Sequence, residues 1–176
     1  MDGDAIGWRT LPGTRHPKAS YFTRGSGHND AAGYTEKPDE YLEVMDRLTR
    51  KFENARKLVP APVVIKDGTS KIAFLAYGST DFALRESLDQ IRKEHDLDVD
   101  YMRIRAYPFA HEIHDFVASH ERVYVVEQDR DAQLASLLKL DLPAEQIVKL
   151  RSILHYNGMP IDARTITEEF VTKEGL

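Results

Sequence analysis

From Ile72 to Tyr77 the chain runs Ile-Ala-Phe-Leu-Ala-Tyr without a polar residue, a length and pattern that suit a strand covered on both faces. Tyr77-Gly78-Ser79-Thr80 follows as a turn. Gly78 tolerates a positive φ, and a hydroxyl at Ser79 or Thr80 can cap the first free amides of a helix. Leu84, Leu88 and Ile91 then recur at i, i+4 and i+7 as a helical stripe, with Asp81 in the first turn where it suits the helix dipole. Strand, turn and helix make half of a crossover unit. Residues 99–106 supply the other half: Met102, Ile104 and Ala106 alternate with Tyr101, Arg103 and Arg105, a strand with one more polar face.

Before this unit, Pro38 sits well at the first turn of a helix running to about residue 58, with Asp39 and Glu40 at its start and Arg56 and Lys57 near its end. Tyr41, Met45, Leu48, Phe52 and Ala55 are spaced 4, 3, 4 and 3, the seam of a helix with one buried side. Pro60 and Pro62 stop it and begin an extended run over 63–66, and Asp67-Gly68-Thr69-Ser70 is a turn by composition. After the unit, Ala110, Ile113, Phe116 and Val117 predict a short helix, and Val123 to Val126 a second buried strand ending in Glu127-Gln128-Asp129. Leu134, Leu137 and Leu138 predict another helix, Pro143 opens a short segment, and Val148, Leu150, Ser152 and Leu154 alternate as a late strand. Thr165-Ile166-Thr167-Glu168 reads as a capping box before a closing helix to about residue 173.

Strands alternating with helices predict an α/β fold, a three-layer α/β/α sandwich with a mostly parallel sheet of about five strands. An irregular arm (1–36), one long connecting helix (37–60) and the α/β domain (61–176) divide the chain. The arm holds six of the ten glycines together with Pro12 and Pro17 and shows no sustained apolar period. Trp8, Tyr21, Phe22 and Tyr34 are too much aromatic surface for a solvated linker, so the arm is expected to pack against something.

Composition narrows the function. With 176 residues, 41% hydrophobic and 30% charged, one ordinary core plus an appendage is expected. The net charge of -5 and the lack of a basic cluster argue against nucleic acid or an anionic membrane as a partner. No apolar run approaches about 18 residues and the amino terminus lacks the pattern of a signal peptide, so a cytoplasmic location is expected. With no cysteine, the chain offers no disulfide, thiolate nucleophile or sulfur ligand for zinc or an iron-sulfur cluster.

Four stretches carry candidate chemistry. Gly78, Ser79 and Thr80 lie between the carboxyl end of a strand and the amino end of a helix, where open sheets hold phosphates or carboxylates, although one glycine and no Walker lysine also suit a plain turn. Glu127 and Gln128 end a buried strand at the same edge, so Glu127 is a candidate acid, base or interface carboxylate, or a cap for the next turn. Arg24, Gly25, Ser26, Gly27, His28 and Asn29 combine a guanidinium, an imidazole and two glycines in one loop, fit for an anionic ligand or a partner carboxylate, against a flexible solvated turn. His111 and His114, at i and i+3, can share a metal, but lacking further ligands they read as the polar face of a helix, and no metal site is assigned. No nucleophile elbow, paired-carboxylate motif or thiamine-pyrophosphate signature occurs, so no catalytic residue is assigned.

Several motifs in order carry a family resemblance. Leu11-Pro12-Gly13-Thr14 with His16-Pro17-Lys18, Tyr21-Phe22-Thr23-Arg24-Gly25-Ser26-Gly27-His28, the helix end Arg50-Lys51-Phe52-Glu53-Asn54-Ala55-Arg56, and Val125-Val126-Glu127-Gln128 with Gln133-Leu134 following resemble the carboxy-terminal part of the α chain of 2-oxoacid:ferredoxin oxidoreductases, especially the 2-oxoglutarate type. The resemblance implies a domain like the carboxy-terminal domain of transketolase, with the arm as the tail of a preceding thiamine-binding domain. It also implies an enzyme that decarboxylates a 2-oxoacid on thiamine pyrophosphate, passes electrons through iron-sulfur clusters to ferredoxin and hands the acyl group to coenzyme A. Thiamine pyrophosphate, Mg, the clusters and coenzyme A are expected on other domains, with the β chain and the rest of the α chain as partners. The piece itself is expected to be inactive. The competing readings are an anion- or coenzyme A-binding α/β module at Gly78–Thr80, and the equivalent domain of a 2-oxoacid dehydrogenase or a transketolase.

Overall fold

A computed structural model describes residues 3–20, 27–65 and 70–176. The chain forms two compact units, Met1–Leu58 and Val59–Leu176. In the first, an irregular arm precedes helix α1 (Pro38–Ala55). Among the turns of the arm is one in which His28 bridges Tyr34 and the Asn29 side chain accepts from the amides of Ala31 and Gly33 at 3.2 and 2.9 Å. α1 stops three residues before the expected end, the chain turning over 56–58.

The buried side of α1 differs from expectation. Tyr41, Met45 and Phe52 of the predicted seam are exposed and the buried residue is Val44. The reason is the hydrogen bonding of the arm: Arg47 donates to the Ala5 carbonyl at 3.2 Å and Asn54 to the Asp4 carbonyl at 2.9 Å. Polar side chains at the flank of the seam, not its apolar centre, receive the start of the chain.

The second unit is the expected α/β sandwich. Strands β1 (Val63–Ile65), β2 (Ile72–Tyr77), β3 (Asp100–Ile104), β4 (Arg122–Glu127) and β5 (Leu150–Leu154) lie in the order β1-β3-β2-β4-β5. All neighbours pair in parallel except β1, which runs antiparallel along the edge of β3. β2 is the central strand, with Ala73, Phe74, Leu75 and Ala76 at 0% exposure, as an unbroken apolar run requires.

Alternation along the strands feeds two cores. Ala73, Leu75, Met102, Ile104, Val123 and Val125 face helices α3 (His111–Ser119) and α4 (Gln133–Asp141), whose Ile113, Phe116, Leu134 and Leu138 complete that layer. Phe74, Tyr101, Tyr124, Val126 and Ile153 face α2 (Thr80–His95) and α6 (Ala163–Glu174) through Leu84, Ile91, Ile166 and Phe170. On the face of β3 expected to be the more polar one, Tyr101 departs from expectation by being buried in this core, whereas Arg103 is half-buried and Arg105, just past the strand, is exposed. The short helix α5 (Ala144–Ile147) follows Pro143.

Two caps also differ from expectation. α6 begins earlier than the Thr165 box implied, at Asp162, whose carboxylate accepts the Thr165 amide at 2.8 Å and the Thr165 hydroxyl at 3.0 Å. An aspartate three residues before Thr165 supplies the stronger acceptor, and Thr165 becomes the third residue of the helix instead of its cap. At α2, neither Ser79 nor Thr80 caps the amides through its side chain, because both hydroxyls are engaged elsewhere. The Asp67-Gly68-Thr69 part of the predicted turn lies outside the described residues.

Candidate functional site

The helices after β2 and β4 leave for opposite faces of the sheet, and so do those after β2 and β3, so crevices open at the carboxyl ends on either side of β2. The first, of about 300 Å³, is lined by Tyr77, Gly78, Ser79, Thr80 and Gln128. Gly78 takes φ +61° there, which lets the chain reverse into α2 at once. Gln128, one residue past β4, donates to the Thr80 hydroxyl at 3.0 Å and reaches the Ser79 hydroxyl at 3.4 Å. Its amide oxygen accepts the Ile161 N–H at 3.1 Å. One side chain thus ties the turn after β2 to the segment before α6, and four of the candidate residues, Gly78, Ser79, Thr80 and Gln128, converge. None of the side chains lining this crevice carries a charge.

Glu127 does not join them. It is fully buried, and its carboxylate accepts the backbone N–H groups of Leu134 and Ala135 at the start of α4. Burial pushes its carboxyl above the usual glutamate range, opposed by those two amides. The capping alternative describes what this side chain touches.

The second crevice, of about 630 Å³, lies on the other flank of Tyr77 and Gly78, between the ends of β2 and β3 and the start of α4. Ile104, Phe109 and Leu134, all buried, form apolar wall, and Tyr107 and Leu137 stand exposed at its edge. Arg103 and Arg105 bring two guanidiniums to it. Arg103 is held by the Gly78 carbonyl at 3.4 Å and by Asp81 at 3.4 Å. Asp81 is itself a buried hub: it accepts the Tyr101 hydroxyl at 3.0 Å and the Arg85 Nε at 3.2 Å. Burial, then the hydrogen bond to Asp81, pushes the Tyr101 phenol far above its ordinary value. Sequence reasoning placed Asp81 only against the helix dipole and missed Arg103, Arg105 and Tyr101 as neighbours of the crevice. The available signal was two arginines alternating out of a strand just before Pro108, at the edge where open sheets bind ligands.

The remaining candidates belong to the first unit. Arg24, Gly25 and Ser26 lie outside the described residues. Gly27 sits where a Cβ would come within 2.8 Å of the Thr35 carbonyl oxygen, so its lack of a side chain serves a close approach of the chain to itself. Asn29 shapes the turn and reaches Glu40 at 3.4 Å, and His28 is half-buried beside it. His114 engages Asp141 at 2.8 Å, and among the described residues no group of three or more His, Asp or Glu is placed to hold a metal ion. Nor is any described helix long and apolar enough to cross a membrane.

No protein-family model matches the chain. The α subunit of 2-oxoacid:ferredoxin oxidoreductase 2 from Aeropyrum pernix is 28% identical over 158 residues, 85% of this chain. The chain is similar to a 2-oxoacid:ferredoxin oxidoreductase α subunit. The resemblance drawn from the motifs of the arm and the late strand is therefore borne out. The chain spans about a quarter of that relative, 24% of its length. Among solved structures, a 2-oxoglutarate:ferredoxin oxidoreductase from Magnetococcus marinus, determined with 2-oxoglutarate, coenzyme A and succinyl-CoA bound, matches with a TM-score of 0.77 at 20% identity, covering 98% of this chain and 29% of that one. This second likeness is one of fold, and it extends over both the arm and the sheet.

Proposed function

We propose that the chain is part of the α subunit of a thiamine-dependent 2-oxoacid:ferredoxin oxidoreductase, which converts a 2-oxoacid, coenzyme A and oxidised ferredoxin to an acyl-CoA, CO2 and reduced ferredoxin. Within it the chain acts as a structural and interface domain, inactive alone. The observation that carries this reading is the relative aligned over 85% of the chain. In this reading residues 1–36 are the tail of a preceding thiamine-binding domain, 37–60 a connecting helix and 61–176 the α/β domain. With no cysteine in the sequence, thiolate ligands for iron-sulfur clusters come from other polypeptide. Thiamine pyrophosphate and Mg are likewise assigned to neighbouring domains and the β chain, as the resemblance to the family implies. The loop of Arg24, Gly25, Ser26, Gly27, His28 and Asn29 is assigned to the neighbourhood of the cofactor or the β chain.

The test is reconstitution. The complex containing this chain should reduce a viologen dye in a reaction that needs thiamine pyrophosphate, coenzyme A and a 2-oxoacid, while the isolated chain should reduce none. Arg24→Ala or His28→Ala in the complex should lower turnover or assembly and leave the melting temperature of the isolated chain unchanged. A complex with no 2-oxoacid-dependent turnover, or an isolated chain that is active, would overturn the reading.

A further inference from the structure

The larger crevice has a polarity that the proposed role in the oxidoreductase does not call upon. On the β3 side, Arg85 and Arg103 both lean on the single carboxylate of Asp81, which also takes the Tyr101 hydroxyl. Two guanidiniums on one carboxylate leave positive charge over. Arg105 adds more, since its hydrogen bond is to a carbonyl, that of Ala61, at 3.4 Å. The Nε of Arg103 is enclosed and has no hydrogen-bond partner, and a buried donor left unmatched is costly unless something arrives to accept from it. On the opposite side the wall is apolar and partly aromatic: Phe109 is buried, Tyr107 packs edge-on against it with ring centres 5.2 Å apart, and Leu137 is exposed beside them. Asp129 and Glu127 help to raise the Tyr77 phenol, after burial. The field is therefore more negative at Tyr77, and an incoming anion belongs at the arginines.

We propose that the crevice between the carboxyl ends of β2 and β3 binds a mononucleotide-sized organic anion, its phosphate on Arg103 and Arg105 and its ring against Tyr107, Phe109 and Leu137. Its volume of about 630 Å³ lies within the range of small-ligand sites. Guanidinium forks match phosphate oxygens by paired charge-assisted hydrogen bonds, and a flat ring is the body that an aromatic and leucine wall accommodates. The inference rests on residues of the α/β unit alone and holds whichever enzyme the chain serves.

Calorimetric titration of the full chain with adenosine 5′-monophosphate, adenosine and inorganic phosphate tests it. The nucleotide should bind saturably with a Kd at or below about 1 mM, and both adenosine and phosphate should bind at least about tenfold more weakly, since each lacks half of the complementary surface. Arg105→Gln, which leaves Asp81 and its partners in place, should weaken the nucleotide by about tenfold. Arg103→Gln should do the same or more. Arg151→Gln in β5, outside the crevice, should leave the Kd unchanged, and the melting temperature of Arg105→Gln should match that of the parent chain. No saturable binding of the nucleotide, phosphate binding as tightly as the nucleotide, or an affinity indifferent to Arg105→Gln would each overturn the proposal.

Discussion

Glu127 shows how far a single residue can be read from its place in a sequence. The carboxyl end of a buried strand is where catalytic carboxylates and capping carboxylates both occur, and only the position of the next helix separates them. Its side chain takes the Leu134 and Ala135 amides, so it acts first on stability. Its carboxyl is raised by burial, which means the folded chain holds this proton at a pH where the unfolded chain has released it. Stability then falls as pH rises from the ordinary glutamate range, near 4.3, through the raised folded value, and is greatest below both. Glu127→Gln removes that decline. The urea midpoint of the variant, measured from pH 4 to 7, should gain on the parent as pH rises, and parallel profiles would refute the assignment. Glu127→Ala, which leaves the α4 amides without their acceptor, should cost about 1–2 kcal/mol. The hydroxyls of Ser79 and Thr80 teach the complementary lesson. Their meeting with Gln128 was implicit in the rule that ligand crevices form at strand ends, but a Gln 48 residues away competes with the helix amides for them, and no local pattern announces such a competitor.

At the scale of elements, periodicity identified strands and helices well where both partners of a contact lie in the α/β unit. β2 and the Leu84–Ile91 stripe are placed as their apolar runs require, and the parallel core follows. Phe170 is the keystone of the layer between the sheet and α6: it is fully buried, and its ring meets those of Phe74 and Tyr124 at 5.2 and 5.3 Å. Phe170→Ala should therefore cost about 3–5 kcal/mol in a urea titration. α1 marks the limit of the same reasoning. A 4-3-4-3 spacing states that a helix has an apolar side, but says nothing of whether the described chain covers it, and Tyr41, Met45 and Phe52 remain exposed. Phe52→Ser should accordingly change the stability of the isolated chain by less than about 0.5 kcal/mol. A loss of several kcal/mol would show that the seam is buried in solution.

For the whole molecule, the decisive fact is where the hydrophobic clusters begin and end. Both, with the side chains packed against them, lie between Ile65 and Val171, whereas the buried apolar residues of Met1–Leu58 are Ala5 and Val44 among those described. Cooperative unfolding needs a contiguous apolar interior, and the α/β unit has one on each face of its sheet. Several polar groups of the unit are paired within it: Arg122 makes a bidentate pair with Glu174 at 2.9 and 2.8 Å, Tyr124 donates to the same carboxylate, and Ser87 meets Thr167 at 2.9 Å between α2 and α6. None of these groups calls on a residue before Val59. A chain reduced to residues 59–176 should therefore give a single sigmoidal urea transition, with a midpoint close to that of the main transition of the full chain, whereas residues 1–58 alone should show no cooperative transition, since two buried apolar side chains cannot offset the entropy of ordering so long a segment. A shortened α/β unit that unfolds gradually would mean that the arm and α1 contribute to its core, and would make the division at Leu58 a feature of chain geometry without an energetic counterpart.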